Sequence, residues 1–194
     1  MLRSASLAAV ILALLSSLSA HAQVPTNPQG GGANFQDYFA AHQRSDSYLK
    51  LVESAHVRTI NKSITEGRLD NAIGDIKYTL DRFPNHPGSL QQLSMVAQMA
   101  KNISLAVSYF ERAISLFPQY AFTRAQYGLF LVSVNQVDAG IEHLKQSIEM
   151  EPKLPSGYVG LAHAYVKKGD FDQAREAAKK ARELGFTGKL PDGL

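Results

Sequence analysis

The sequence predicts an all-α fold built from repeated antiparallel helical hairpins, and three observations carry that prediction. From about residue 47, apolar residues recur at three- and four-residue spacing, the period of one helix face. Short polar turns and prolines interrupt the pattern at regular intervals. Four columns of residues also repeat every 34 positions: Pro84, Pro118 and Pro152; Ala72, Ala106, Gly140 and Ala174; Gly67, Lys101, Asn135 and Gly169; and the apolar Leu69, Ile103, Val137 and Phe171. Independent columns in one register point to a duplicated hairpin. A chain of 194 residues has room for one such domain and not for two large ones.

Taken in order, residues 1–22 read as an export signal. Arg3 gives a positive start, residues 5–18 are apolar with interspersed serines, and Ala20-His21-Ala22 fits a small-x-small cleavage site. The apolar run falls short of the roughly 20 residues that span a bilayer, so cleavage after Ala22 is expected rather than anchoring. The mature chain would begin at Gln23 and be periplasmic or secreted. Losing Arg3 leaves 19 basic residues against 17 acidic ones, a surplus of two that is not clustered, and no nucleic-acid partner is expected. The absence of cysteine excludes disulfides, thiolate nucleophiles and thiolate metal sites.

Residues 23–46 read as a flexible arm. The stretch 23–33 has two prolines, three consecutive glycines and almost no apolar content, too little to offset its conformational entropy. Asn34 would then cap a short helix carrying Phe35, Tyr38 and Phe39 on one face. Those aromatics are expected to pack on the first repeat; docking on another chain is the alternative.

Each repeating column has a physical task. The small residues allow two antiparallel helices to approach closely. Gly67 and Gly169 suit the left-handed conformation that ends a helix. The prolines stop the second helix, because proline has no N–H to continue its ladder. Ile76, Phe110 and Leu144 form a large-residue column filling the space between hairpins.

This pattern resembles the tetratricopeptide repeat. The last copy matches best, with Tyr158, Leu161, Ala162 and Tyr165 on its first helix and Ala174, Ala178 and Ala181 on its second. Successive copies would span 53–86, 87–120, 121–154 and 155–188 within a solenoid of residues 47–188, followed by a tail at 189–194. The first copy departs from the pattern, offering His56, Thr59, Ile60 and Ser63 at its signature sites. Its helix is expected to begin near Ser47 and bury Tyr48, Leu49, Val52 and Ala55.

The resemblance implies a right-handed superhelix in which the first helix of each pair lines a concave, peptide-holding surface. Carried over residue by residue, that surface takes Asn61, Ile64 and Thr65 from the first copy and Gln91, Gln92, Met95, Gln98 and Met99 from the second. The third gives Phe122, Gln126, Leu129, Val132 and Ser133, and the fourth Val159, His163, Val166 and Lys167. Family members that grip a terminal carboxylate use Lys, Arg and Asn across neighbouring first helices. Here Val57, Gln92, Phe122 and Gln126 stand in those places and only Asn61 fits, so such a clamp is not expected. Amides and methionines suit peptide backbone and apolar side chains instead.

No catalytic residue, metal or cofactor is expected. His42, His56, His86, His143 and His163 show no metal-ligand spacing. Ser47-Tyr48-Leu49-Lys50 matches SxxK, but the partner motifs of such hydrolases are missing. In the last copy basic Lys167, Lys168, Arg175, Lys179, Lys180, Arg182 and Lys189 alternate with acids, which suits a solvated outer face closing the stack. The resulting reading is a non-catalytic exported adaptor holding a peptide segment of a protein partner in a cell-envelope or secretion assembly. The alternative is a homo-oligomeric structural protein that self-associates through the aromatic arm or an exposed stack end.

Overall fold

The computed structural model describes residues 35–192, and every regular element among them is helical. The expected export signal, its cleavage site after Ala22 and the arm up to residue 34 lie outside the described residues, as does the end of the tail. The chain forms two compact units, which among the described residues comprise 35–117 and 118–192.

The 35–117 unit contains α1 (Tyr38–Gln43), α2 (Ser47–Val52), a π-helical turn (Glu53–Val57), α3 (Arg58–Thr65), α4 (Leu69–Arg82), α5 (Pro87–Met99) and α6 (Ile103–Leu116). Helix α1 starts three residues later than the sequence suggests. Asp37 supplies the cap, its carboxylate accepting from the Phe39 amide at 3.0 Å, so Phe35 stays outside the helix. Asp46 caps α2 likewise, accepting from Tyr48 N at 2.8 Å and Leu49 N at 3.0 Å. The early start near Ser47 holds, and Leu49 and Val52 are buried. Ala55, expected inside, is exposed. The buried stripe runs Leu49, Val52, Ile60, Ser63 and places His56 between them, half-buried, where its Nδ1 meets Asp75 Oδ1 at 2.8 Å.

The 118–192 unit contains α7 (Ala121–Ser133), α8 (Val137–Met150), α9 (Pro155–Lys168) and α10 (Phe171–Glu183). These helices pair as two hairpins, α7–α8 and α9–α10. The small-residue column works as anticipated. A Cβ on Gly140 would lie 2.7 Å from the Gly128 carbonyl oxygen, and one on Gly128 would lie 2.8 Å from that of Gly140, so α7 and α8 touch backbone to backbone. Fully buried Leu144 then fills the space against Gly128 and Gly160 of the two first helices. Ser147 Oγ donates to the Ala121 carbonyl at 2.8 Å, tying the end of α8 to the start of α7.

Both units share one turn geometry. Gly67, Lys101, Asn135 and Gly169 all have positive φ, between 54° and 78°. The column therefore marks one left-handed helix stop that two copies build from glycine and two from residues for which it is strained. Ile76, Phe110 and Leu144 are buried in their respective units, as are the small residues at 72, 106, 140 and 174.

Candidate functional site

The first-helix residues singled out from sequence separate into an accessible set and a buried set. In the 35–117 unit, α3 and α5 supply Asn61, Gln98 and Met99, all exposed, and Gln92 and Met95, half-buried. Gln91 is buried. Gln92 Nε2 donates to Asn61 Oδ1 at 3.1 Å, so the structure brings together residues 31 positions apart in sequence. The Gln92 Oε1 has no hydrogen-bond partner among the described residues. Ile64 and Thr65 continue the row on α3, and Met99 is 53% exposed at the end of α5. Apart from Arg58 and Lys62 the row carries no charge, which leaves amide and thioether chemistry.

The 118–192 unit places its candidates differently. Phe122, Gln126, Leu129 and Val132 on α7 and Val159 on α9 are all buried, while His163 and Val166 are half-buried. Along α7, from Ala121 to Val132, only Arg124 escapes burial, the pattern of a core helix rather than one lining an open trough. Lys167, a groove charge by sequence, serves a structural purpose. Its Nζ donates to the Val132 carbonyl at 2.7 Å and reaches the Ser133 carbonyl at 3.5 Å, satisfying the C-terminal end of α7. The adjacent Lys168 pairs with Asp138 Oδ1 at 2.6 Å, and this contact raises the lysine above its usual range.

His163 is the most perturbed group of this unit. Burial pushes its imidazole down to about 4, and its Nε2 has no hydrogen-bond partner among the described residues. It is a neutral side chain near pH 7. No cluster of three or more His, Cys, Asp or Glu suited to a metal occurs among the described residues. Ser47 and Lys50 of the SxxK sequence lie exposed at the start of α2.

Sequence reasoning missed a polar and aromatic lock on the N-terminal segment. Gln36 N donates to Arg82 O at 2.6 Å, and Tyr38 N to Asn85 Oδ1 at 2.8 Å. Asn85 Nδ2 returns to Asp37 Oδ1 at 2.8 Å. Phe35 meets Phe117 edge-on at 6.1 Å between ring centres, and Tyr38 meets His86 at 4.6 Å. Burial and the Glu53 carboxylate push the Tyr38 hydroxyl up to about 12. Glu53 itself is held below the usual carboxylate range by its hydrogen bond with His86 Nε2, at 3.4 Å. From Phe35 onward the arm is thus part of the folded unit, and its aromatics pack within the chain. The signal available was Pro84-Asn85-His86-Pro87, a polar pair between two prolines.

Comparison with known proteins agrees with this architecture. The tetratricopeptide repeat family profile matches residues 131–185. The anaphase-promoting complex subunit cut9 of Schizosaccharomyces pombe is 27% identical over 114 residues, covering 59% of this chain and 16% of that protein. The chain thus spans less than a fifth of that relative's length. Among solved structures, TTC0263, a thermophilic tetratricopeptide-repeat protein of Thermus thermophilus, superposes with a TM-score of 0.54 at 23% identity, covering 76% of this chain and 86% of that one. YrrB, described as a tetratricopeptide-repeat protein with an unusual peptide-binding site, gives 0.50 at 17% identity, covering 76% and 81%.

Proposed function

Because the chain is built from tetratricopeptide repeats, we propose that it is a non-catalytic adaptor that holds a peptide segment of a partner protein on the first-helix face of its 35–117 unit. Repeats of this family serve protein–protein interaction. The observation that carries the finer reading is the Gln92–Asn61 hydrogen bond, which links α3 to α5 within a row of exposed and half-buried amides and methionines. The exposed amides of Asn61 and Gln98 suit a peptide backbone, and Met95 and Met99 adapt to apolar side chains. A neutral row favours an uncharged segment. The peptide-binding site named for YrrB supports this reading by analogy only.

The buried state of Phe122, Gln126 and Leu129 changes how the reading is tested. Aspartates there would place charges in the core and unfold the unit whether or not a ligand binds. Substitutions at accessible positions are the informative ones. The Gln92→Ala/Met95→Asp/Met99→Asp variant is expected to keep its helicity and lose a partner retained by the wild-type chain. Equal retention by both would refute the assignment.

Export is part of the proposal. Residues 1–22 support a periplasmic or secreted address, and Gln23 is the N-terminus expected by mass spectrometry of the protein from its own host. An intact Met1 on the functional protein would contradict it. Among the described residues no helix is long and apolar enough to cross a membrane. Self-association through the aromatic arm is the weaker reading, since Phe35 and Tyr38 are engaged within the chain itself.

A further inference from the structure

The contact between α9 and the α7–α8 turn supplies a template for a second interaction surface. There, a helix ending in two adjacent lysines docks on a turn. Lys167 Nζ takes the Val132 and Ser133 carbonyls, and Lys168 Nζ takes Asp138. Tyr165, two residues before the lysine pair, and Val137 pack on one apolar cluster with Ile141 and Ala164. Moving every acceptor by one 34-residue repeat gives the α9–α10 turn. Val132 and Ser133 become Val166 and Lys167, Val137 becomes Phe171, and Asp138 becomes Asp172. The backbone follows the same course, since Gly169 N donates to Val166 O at 3.1 Å as Asn135 N donates to Val132 O at 3.2 Å.

At this second turn the apolar and acidic groups stand open. Phe171 is 53% exposed, where Val137 is half-buried. The Asp172 side chain pairs with Arg175, one turn along its own helix, and at 91% is about as exposed as Asp138 is in its lysine pair, at 85%, so the difference between the two turns lies in Phe171. Lys168, Gly169, Asp170, Phe171, Asp172 and Arg175 surround an open depression of about 730 Å³. An exposed aromatic beside a solvated carboxylate is poor packing for a closed end and good packing for a docked one.

We propose that the α9–α10 turn is a docking site for a partner helix whose last turn carries two adjacent basic residues, preceded by an aromatic residue that covers Phe171. One lysine of that helix takes the Val166 and Lys167 carbonyls and the other takes Asp172. This surface belongs to the 118–192 unit and the amide and methionine row to the 35–117 unit, and different substitutions test each.

A suitable probe is a helix-stabilised peptide with the sequence of residues 155–168, which forms this contact within the chain. Titrated into the isotopically labelled mature chain at low salt, it is expected to shift amide signals at residues 166–175. Phe171→Ala should weaken binding about tenfold and Asp172→Lys about fivefold, both with unchanged helicity. A peptide ending in Glu-Glu should bind poorly to the wild type and regain affinity for Asp172→Lys, because attraction is restored with the signs exchanged. No binding at millimolar peptide would overturn the proposal. So would shifts confined to other residues, or charge exchange without rescue.

Discussion

The two units solve the same packing problem with different chemistry. In the 118–192 unit the first and second helices of α7–α8 meet through glycine backbones at 128 and 140, and Leu144 fills the space against Gly128 and Gly160. In the 35–117 unit the first helix is broken by a π-helical turn, and the fold is completed by side-chain pairs. His56 binds Asp75, Asn85 bridges Asp37 and Tyr38, and Arg82 Nε donates to the Tyr48 hydroxyl at 3.1 Å. A regular copy spends its surface on close apolar packing. The degenerate first copy keeps the same hairpin with polar and aromatic contacts.

The largest expected effect breaks the regular unit. Leu144→Ala removes a fully buried side chain and leaves a cavity that rigid glycine-lined helices close poorly. A loss of about 3–4 kcal/mol is expected in chemical denaturation, concentrated in the 118–192 unit. Equivalent loss in both units would contradict the separation.

Acid should distinguish the units next. His163 has a folded-state value lowered to about 4 from 6.5, so the folded unit disfavours the proton. Its contribution is complete above pH 6.5 and is lost as the pH falls toward 4, by up to about 3 kcal/mol. His163→Leu should flatten that dependence in the 118–192 unit. An unchanged profile would exclude His163 as its source.

In the other unit, Asn85→Ala strands the Tyr38 amide and removes one donor from the Asp37 carboxylate, which keeps the Phe39 amide, and a loss of about 2 kcal/mol is expected. Hydrogen exchange should accelerate at residues 36–43 and leave α9 and α10 unaffected. The smallest effect is a gain. Lys101→Gly relieves a non-glycine residue at φ 54° and should stabilise by about 0.5–1 kcal/mol. Asn135, at φ 69°, should gain less on the same change, because asparagine tolerates that region better.

How much of this was legible in the sequence follows the same division. Repeat columns exposed the helix stops and the buried small and large residues, since each reports a local constraint repeated every 34 positions. The lock formed by Gln36, Asp37, Tyr38 and Asn85 occurs once and joins residues nearly fifty positions apart, so no periodicity announced it. Groove positions carried over from the family gave the side of each helix but not its exposure. By family position Phe122 and Leu129 line the surface, whereas in the fold they are core; Lys167 is a groove charge by family position and caps α7 in the fold. Asn61 and Gln92 were each identified from the pattern, but only the fold shows that they touch.

The central claim is that the amide and methionine row of the 35–117 unit holds the partner. The direct test selects peptides from a random library on the mature chain and maps the best binder by amide shift perturbation. Shifts centred on Asn61, Gln92, Met95, Gln98 and Met99, with affinity reduced at least about tenfold by Met99→Asp, are the predicted result. Full affinity in that variant, with shifts confined to residues 118–192, would contradict it.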